Sequence, residues 1–218
     1  TASTSRRPRC AAWVTLPPEA SGSSSAATAW SSASNTDSDG CAGAGDWRGE
    51  FLHVADDCWI WDDYYQPFQC EDHELQFEIG QEEMRAYIEA ENLTRDFRAR
   101  PFYLSAITDP WFAEHPTAIL SEVQANLRPI LSASFTDTLS QGWGFVSVQS
   151  HANRNQLGHE EYFKTNIGAD DQELLANAGR PFVWALYGCH GNTFATQNEA
   201  SPAAGDCMGE KLLFLSGG

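Results

Sequence analysis

The sequence predicts an α/β fold with a mainly parallel sheet and helices on both faces. Two observations carry this. Short apolar runs bounded by glycine, proline or acidic residues recur at 51–55, 102–107, 144–149 and 182–187. Segments with apolar residues three and four apart lie between them. Strands that alternate with helices pair in parallel, because each crossover returns the chain to the same end of the sheet.

The elements follow in order. Residues 1–45 are rich in Ser, Ala, Thr and Gly and read as a low-complexity linker or disordered segment, with the folded domain at 46–218. Only Trp13, Val14 and Leu16 suggest a short extended piece there. Residues 50–55 form the first strand, closed by Asp56-Asp57. Residues 58–72 carry Trp59, Trp61, Tyr64, Tyr65 and Phe68. This stretch is too aromatic for disorder and too irregular for a helix, so it reads as an ordered excursion over the sheet edge.

Residues 80–93 place Met84, Tyr87, Ile88 and Leu93 at helical spacing, with Glu82 and Glu83 near the amino end. A second strand follows at 101–107. Residues 116–139 repeat Ile119, Leu120, Val123, Leu127, Ile130 and Leu131 in helical register, with a kink or split expected at Pro129. The third strand, 144–149, runs out at His151. A helix is expected over 170–178, stopped by Gly179. The fourth strand, 181–187, stops at Gly188-Cys189, and a last helix spans 208–215.

Composition narrows the function. The net charge of −17 lacks the basic face that nucleic acid requires and opposes docking on anionic membranes. No apolar run approaches the roughly 18 residues of a membrane-spanning helix. The chain opens at Thr1 with no methionine and so reads as part of a longer protein. Six cysteines occur without a C-x-x-C pair, which argues against structural zinc. They permit disulfides, Cys58 with Cys70 among them, but spacing does not fix the pairing.

Chemistry concentrates at two strand ends. Open α/β sheets place ligands at the carboxyl ends of their strands. Cys189 and His151 both fall there, and the chain between them is long enough for one return helix between neighbours. An imidazole beside a thiol favours the nucleophilic thiolate. Backbone N–H groups of Ala152 and Cys189 are placed to form an oxyanion hole. Spacing alone leaves a structural cysteine and an ordinary core histidine as the commoner explanation.

Other groupings compete. His151, His159 and Glu160 offer metal-ligand chemistry, although not at H-E-x-x-H spacing. Asp56 and Asp57 stand where a cation or a substrate amine would be contacted, or where a turn is capped. Glu210 is either a buried acid near the site or a cap. There is no phosphate-binding glycine loop and no G-x-S-x-G elbow.

Four blocks resemble the gingipain family of cysteine peptidases, relatives of the caspases, nearest its signal-peptidase branch. They are Gly45-Asp46-Trp47-Arg48 with Val54-Ala55-Asp56-Asp57, then Ser150-His151-Ala152, then Leu157-Gly158-His159-Glu160. The fourth is Cys189 with Phe194 and the downstream Met208-Gly209-Glu210-Lys211-Leu212-Leu213. Residues 45–218 carry the resemblance.

It implies a caspase-like three-layer α/β/α sandwich and a secreted or surface cysteine endopeptidase. Cys189 would be the nucleophile, His151 the general base and acid, and His159 the competing base. Peptide or protein is the implied substrate. No cofactor is required, and a structural calcium ion is compatible. Specificity for a basic residue would draw on Asp56, Asp57, Asp62 or Asp63.

Three departures stand out. Ala152 replaces the family's glycine, Cys207 replaces its serine, and the chain ends at Gly218 where the family continues into another strand. The domain is therefore expected to be incomplete. An inactive, peptide-binding or scaffolding relative is the rival reading, with a metal-dependent hydrolase behind it.

Overall fold

The computed structural model describes residues 26–30, 47–62, 65–91, 97–166, 169–189, 191 and 207–213. A five-stranded sheet organises them. It comprises β1 (Ala26–Trp30), β2 (Glu50–Ala55), β5 (Arg98–Tyr103), β6 (Phe145–Gln149) and β10 (Val183–Tyr187), in the order β1-β10-β6-β2-β5. The four strands from β2 to β10 run parallel, as the alternating pattern requires. β1 is the exception: it pairs antiparallel with β10 along the sheet edge, inside the segment where no such strand was expected.

Alternation along these strands separates two faces. Leu52, Val54, Val146, Val148, Trp184 and Leu186 share one face through the register Leu52↔Val146↔Trp184 and Val54↔Val148↔Leu186. That face meets α4 (Arg128–Ser140), whose Phe135 packs on Phe102 at 5.4 Å and on Trp184 at 6.4 Å. The opposite face carries His53 and Ser147 and meets α1 (Gln76–Ala90). Gln81 of α1 bonds His53 Nδ1 at 2.8 Å and donates to Ser147 Oγ at 3.0 Å. Helices on both faces of a parallel sheet make the predicted α/β/α sandwich.

Several boundaries differ from the sequence reading, each for a physical reason. The second strand spans Arg98–Tyr103, and residues 105–107 open a helix, α2 (Ser105–Glu114). A short apolar run suits a strand or a buried helical turn equally well. The helix expected over 170–178 is only a single tight turn, Asp171–Leu174. Leu174 is 62% exposed there, so the segment has no apolar face to bury. In its place come short strands, β7 (Gln156–Leu157), β8 (Phe163–Asn166) and β9 (Ala169–Asp170), joined antiparallel.

The split expected near Pro129 is real. α3 (Leu120–Glu122) passes through a π-helical turn, Val123–Leu127, into α4, whose first turn holds Pro129. Proline has no N–H to complete the preceding α-helical ladder, and the wider turn absorbs that loss.

The aromatic stretch is a hairpin, β3 (Trp59–Asp62) and β4 (Tyr65–Cys70). A Cys58–Cys70 disulfide closes it. Trp59 stacks on Phe112 of α2 at 4.2 Å, and Phe68 packs on the same ring at 5.2 Å. A last helix, α5 (Met208–Leu213), caps the region beyond β10. Among the described residues no helix is long and apolar enough to cross a membrane.

Candidate active site

The sheet register brings the two strand ends together. Tyr187 of β10 lies opposite Gln149 of β6, so continuing the count sets Gly188 against Ser150 and Cys189 against His151. The Ser150 N–H donates to the Tyr187 carbonyl at 3.3 Å, which extends the pairing past the strands. Gly188 makes the close approach feasible. A Cβ there would lie 2.6 Å from the Ser150 carbonyl oxygen and 2.9 Å from Ala152 Cβ. At Gly191 it would lie 2.3 Å from Leu186 Cδ2. Two glycines around Cys189 are thus a packing requirement of this turn.

Cys189 is a free, exposed thiol. His151 is held from several sides. Its N–H donates to Asp56 Oδ2 at 2.9 Å, and the Ser150 hydroxyl donates to the same oxygen at 2.9 Å. Its ring donates from Nε2 to Glu74 Oε2 at 2.9 Å. The Phe77 ring meets it edge-on at 5.2 Å and the His159 ring at 4.5 Å. The His151 side chain keeps 38% exposure, enough to reach a substrate, while that of Glu74 keeps 10%.

Glu74, the acid that meets the His151 ring, is a site residue that sequence reasoning missed. It sits in the short turn Asp72–Leu75 before α1, and His73 Nε2 lies 3.0 Å from its other oxygen. One acid among thirty Asp and Glu residues gives no local signal. Only the fold carries it to the histidine.

Ala152, placed in the oxyanion hole by the sequence reading, forms an isolated antiparallel bridge with Leu157. The flanking bonds run from Gly158 N–H to the His151 carbonyl and from Asn153 N–H to the Gln156 carbonyl. Neither uses the Ala152 N–H. The turn after Cys189 is anchored by α5: Met208 N–H donates to the Arg154 carbonyl and Gly209 N–H to the Gly191 carbonyl. Cys207 is buried just before α5. The expectations at Asp63 and Phe194 and for the Glu210 side chain lie outside the described residues.

Asp56 and Asp57 do close β2, but both are buried, so they present no surface to a substrate amine. They face Glu160 instead. Burial raises all three carboxyls. Asp56 is pushed up to about 6, with the neighbouring His151 pulling the other way. Asp57 is raised well above the usual range by burial and then by the charge of Asp56. Glu160 is raised in the same way by burial and then by Asp57 and Asp56. Because Glu160 turns toward the aspartates, the grouping of His151, His159 and Glu160 considered as a metal set does not form; among the described residues the oxygen cluster is Asp56, Asp57 and Glu160.

The α/β sandwich thus carries an exposed thiol and an acid-braced imidazole just beyond two adjacent parallel strands. The family model for Peptidase family C25 matches residues 26–218, most of the chain. The chain belongs to that family, the gingipain family, and is therefore a cysteine-type peptidase, a hydrolase acting on protein. Comparisons with curated proteins and with solved structures gave no match.

Proposed function

We propose that the domain is a cysteine endopeptidase working through a Cys189–His151 pair and an acyl-enzyme. The observation that carries this reading is the β10–β6 register, which pairs Tyr187 with Gln149 two residues before Cys189 and His151. Glu74 accepts from Nε2, which leaves Nδ1 of His151 as the nitrogen that takes the thiol proton. The Cys189 thiolate attacks the scissile carbonyl carbon and forms a C–S bond. The N–H groups of Cys189 and Ala152 receive the oxyanion. The C–N bond then breaks, and the leaving amine takes its proton from the His151 imidazolium. Water, deprotonated by His151, hydrolyses the thioester and frees the thiol.

Glu74 acts as a positioning residue, holding the ring and stabilising its protonated form. His159 packs against that ring but follows a loop instead of ending a strand paired with β10. A secreted or surface setting fits the Cys58–Cys70 disulfide, since such bonds persist in oxidising compartments.

The test is turnover of an unbiased peptide library, with circular dichroism on each variant. Cys189→Ala should abolish cleavage, His151→Ala should remove most of it, and His159→Ala should cost much less. Activity surviving in Cys189→Ala refutes the nucleophile assignment. A folded, reduced parent without activity would move the reading to an inactive, peptide-binding relative.

A further inference from the structure

Glu74 meets two imidazoles, and the thiol chemistry accounts for one of them. Its Oε2 lies 2.9 Å from His151 Nε2, while its Oε1 lies 3.0 Å from His73 Nε2. Both oxygens of a carboxylate need donors once water is removed, and the Glu74 side chain is only 10% exposed. His73 is its neighbour in the chain, 70% exposed, with Nδ1 3.9 Å from Glu71 Oε2. The side chains thus form a line, Glu71–His73–Glu74–His151, that runs from the surface into the site.

The backbone that carries this line is tied down. The Glu71 N–H donates to the Cys58 carbonyl at 2.8 Å, and the Glu74 N–H donates to the Glu71 carbonyl at 3.0 Å. The Cys58–Cys70 disulfide joins the residue before Glu71 to the chain just beyond Asp56. Asp56 in turn accepts the His151 N–H. The turn that bears His73 and Glu74 and the backbone of His151 are therefore fixed to the same end of β2. An exposed ion pair is ordinarily worth little, because two long side chains must be ordered and water screens them. Here the turn is already ordered, the imidazole is short and rigid, and one partner is nearly buried.

We propose that His73 is a positioning residue for the thiol–imidazole pair. An N–H on its Nε2 holds Glu74 Oε1, so that Oε2 stays on His151 Nε2. A carboxylate held by one oxygen alone swings about its last side-chain bond. Held by both, it keeps Nε2 of His151 engaged and leaves Nδ1 open for the thiol proton. The inference rests on the Cys189–His151 reading and adds to it a residue that acts through Glu74.

Two measurements at neutral pH test it: the rate at which iodoacetamide alkylates Cys189, followed by mass spectrometry, and kcat and KM on a peptide substrate. The first needs no turnover. His73→Ala should slow alkylation and lower kcat by about three- to tenfold, the worth of one hydrogen bond to a charged group that is partly replaced by water. KM should stay within about twofold, since the ring holds Glu74 and not the substrate. His73→Gln keeps an N–H for Glu74 Oε1 and should recover most of the loss. In a Glu74→Gln background, adding His73→Ala should cost less than about twofold, because its effect passes through the carboxylate. His115→Ala, which removes an exposed imidazole stacked on Trp111, should behave like the parent.

A His73→Ala variant with the parent's alkylation rate and kcat overturns the proposal. So does an equal loss with and without the Glu74 carboxylate, or a His73→Gln variant no better than His73→Ala. A rise in KM alone makes His73 a substrate contact and overturns it too. Failure of the Cys189–His151 reading looks different: His151→Ala then leaves Cys189 alkylation at the parent's rate, and the role of His73 falls with it. Where His151→Ala slows alkylation and His73→Ala does not, only the role of His73 falls.

Discussion

Gly188→Ala tests whether strand register, not just residue identity, builds the site. The added Cβ would stand 2.6 Å from the Ser150 carbonyl oxygen, and Cβ contacts under 3.0 Å essentially do not occur. Relief therefore takes at least about 0.4 Å of backbone movement, and about 0.8 Å to reach an ordinary contact of 3.4 Å. Ser150 cannot yield easily, because its N–H is bonded to the Tyr187 carbonyl and its hydroxyl to Asp56. The movement falls on Cys189 instead. Misplacement of a reacting group by about 1 Å can cost roughly a hundredfold in rate, so a ten- to hundredfold loss of kcat/KM is expected. Overpacking should also cost about 1–3 kcal/mol of stability.

The assay is peptide turnover, paired with the rate of Cys189 alkylation and a thermal melt. Gly179→Ala is the comparison. It has φ +79 but no atom within 4 Å of the added Cβ, so it should cost stability without touching turnover. Full activity and an unchanged melt in Gly188→Ala would refute the account of the strand ends given above.

Glu74→Gln should lower kcat roughly ten- to a hundredfold, the worth of a charge-assisted bond of about 1.5–3 kcal/mol, and should flatten the pH–rate profile while the fold melts normally. A pH profile and kcat identical to the parent would remove Glu74 from the site. His53 is buried and neutral, and burial lowers its pKa below 6.5. The unfolded chain therefore takes up a proton at His53 before the folded one does. Its contribution to stability is complete above about pH 6.5 and declines as pH falls toward the folded pKa, by about 1.4 kcal/mol per unit. Urea titrations between pH 7 and 5 should show that slope reduced in His53→Gln; equal slopes would count against it. Replacing Cys58 and Cys70 together with serine should cost as much as about 3 kcal/mol in urea denaturation, from the freed loop in the unfolded chain. An unchanged midpoint would mean that packing of Trp59 and Phe68 on Phe112 already fixes the hairpin.

The parallel sheet was legible because its strands announce themselves. Buried parallel strands read as mainly apolar runs: Val183–Tyr187 is unbroken, and Phe145–Gln149 is apolar apart from Ser147 and Gln149, with glycine, serine or proline near their ends. The proposed pair was picked out in the same way, since Cys189 and His151 each stand two residues beyond a strand, β10 or β6. Edge and antiparallel pieces were harder. β1 reads Ala-Ala-Thr-Ala-Trp, with almost no hydrophobic signal of its own, and exists through its pairing with β10. β7, β8 and β9 are two to four residues long, below the length at which periodicity can speak.

The acids were the least legible part, and the reason is statistical crowding by one residue type. With thirty Asp and Glu residues, sequence cannot separate Glu74 and Glu160 from Glu82 or Glu89. Tertiary placement separates them completely. Glu82 and Glu89 lie on the surface of α1 paired with Arg85, where an ion pair is screened and worth little. Glu74 lies at the edge of the core against an imidazole, and Glu160 lies inside it against two aspartates. An acid that stays in water costs nothing to retain, whereas an acid at zero exposure must be offset by a proton, a cation or a donor. Asp56 meets that condition with the His151 N–H and the Ser150 hydroxyl. Glu160 has no such donor. The same burial that hides these residues from a sequence reading is what makes their carboxylates informative once the fold is known.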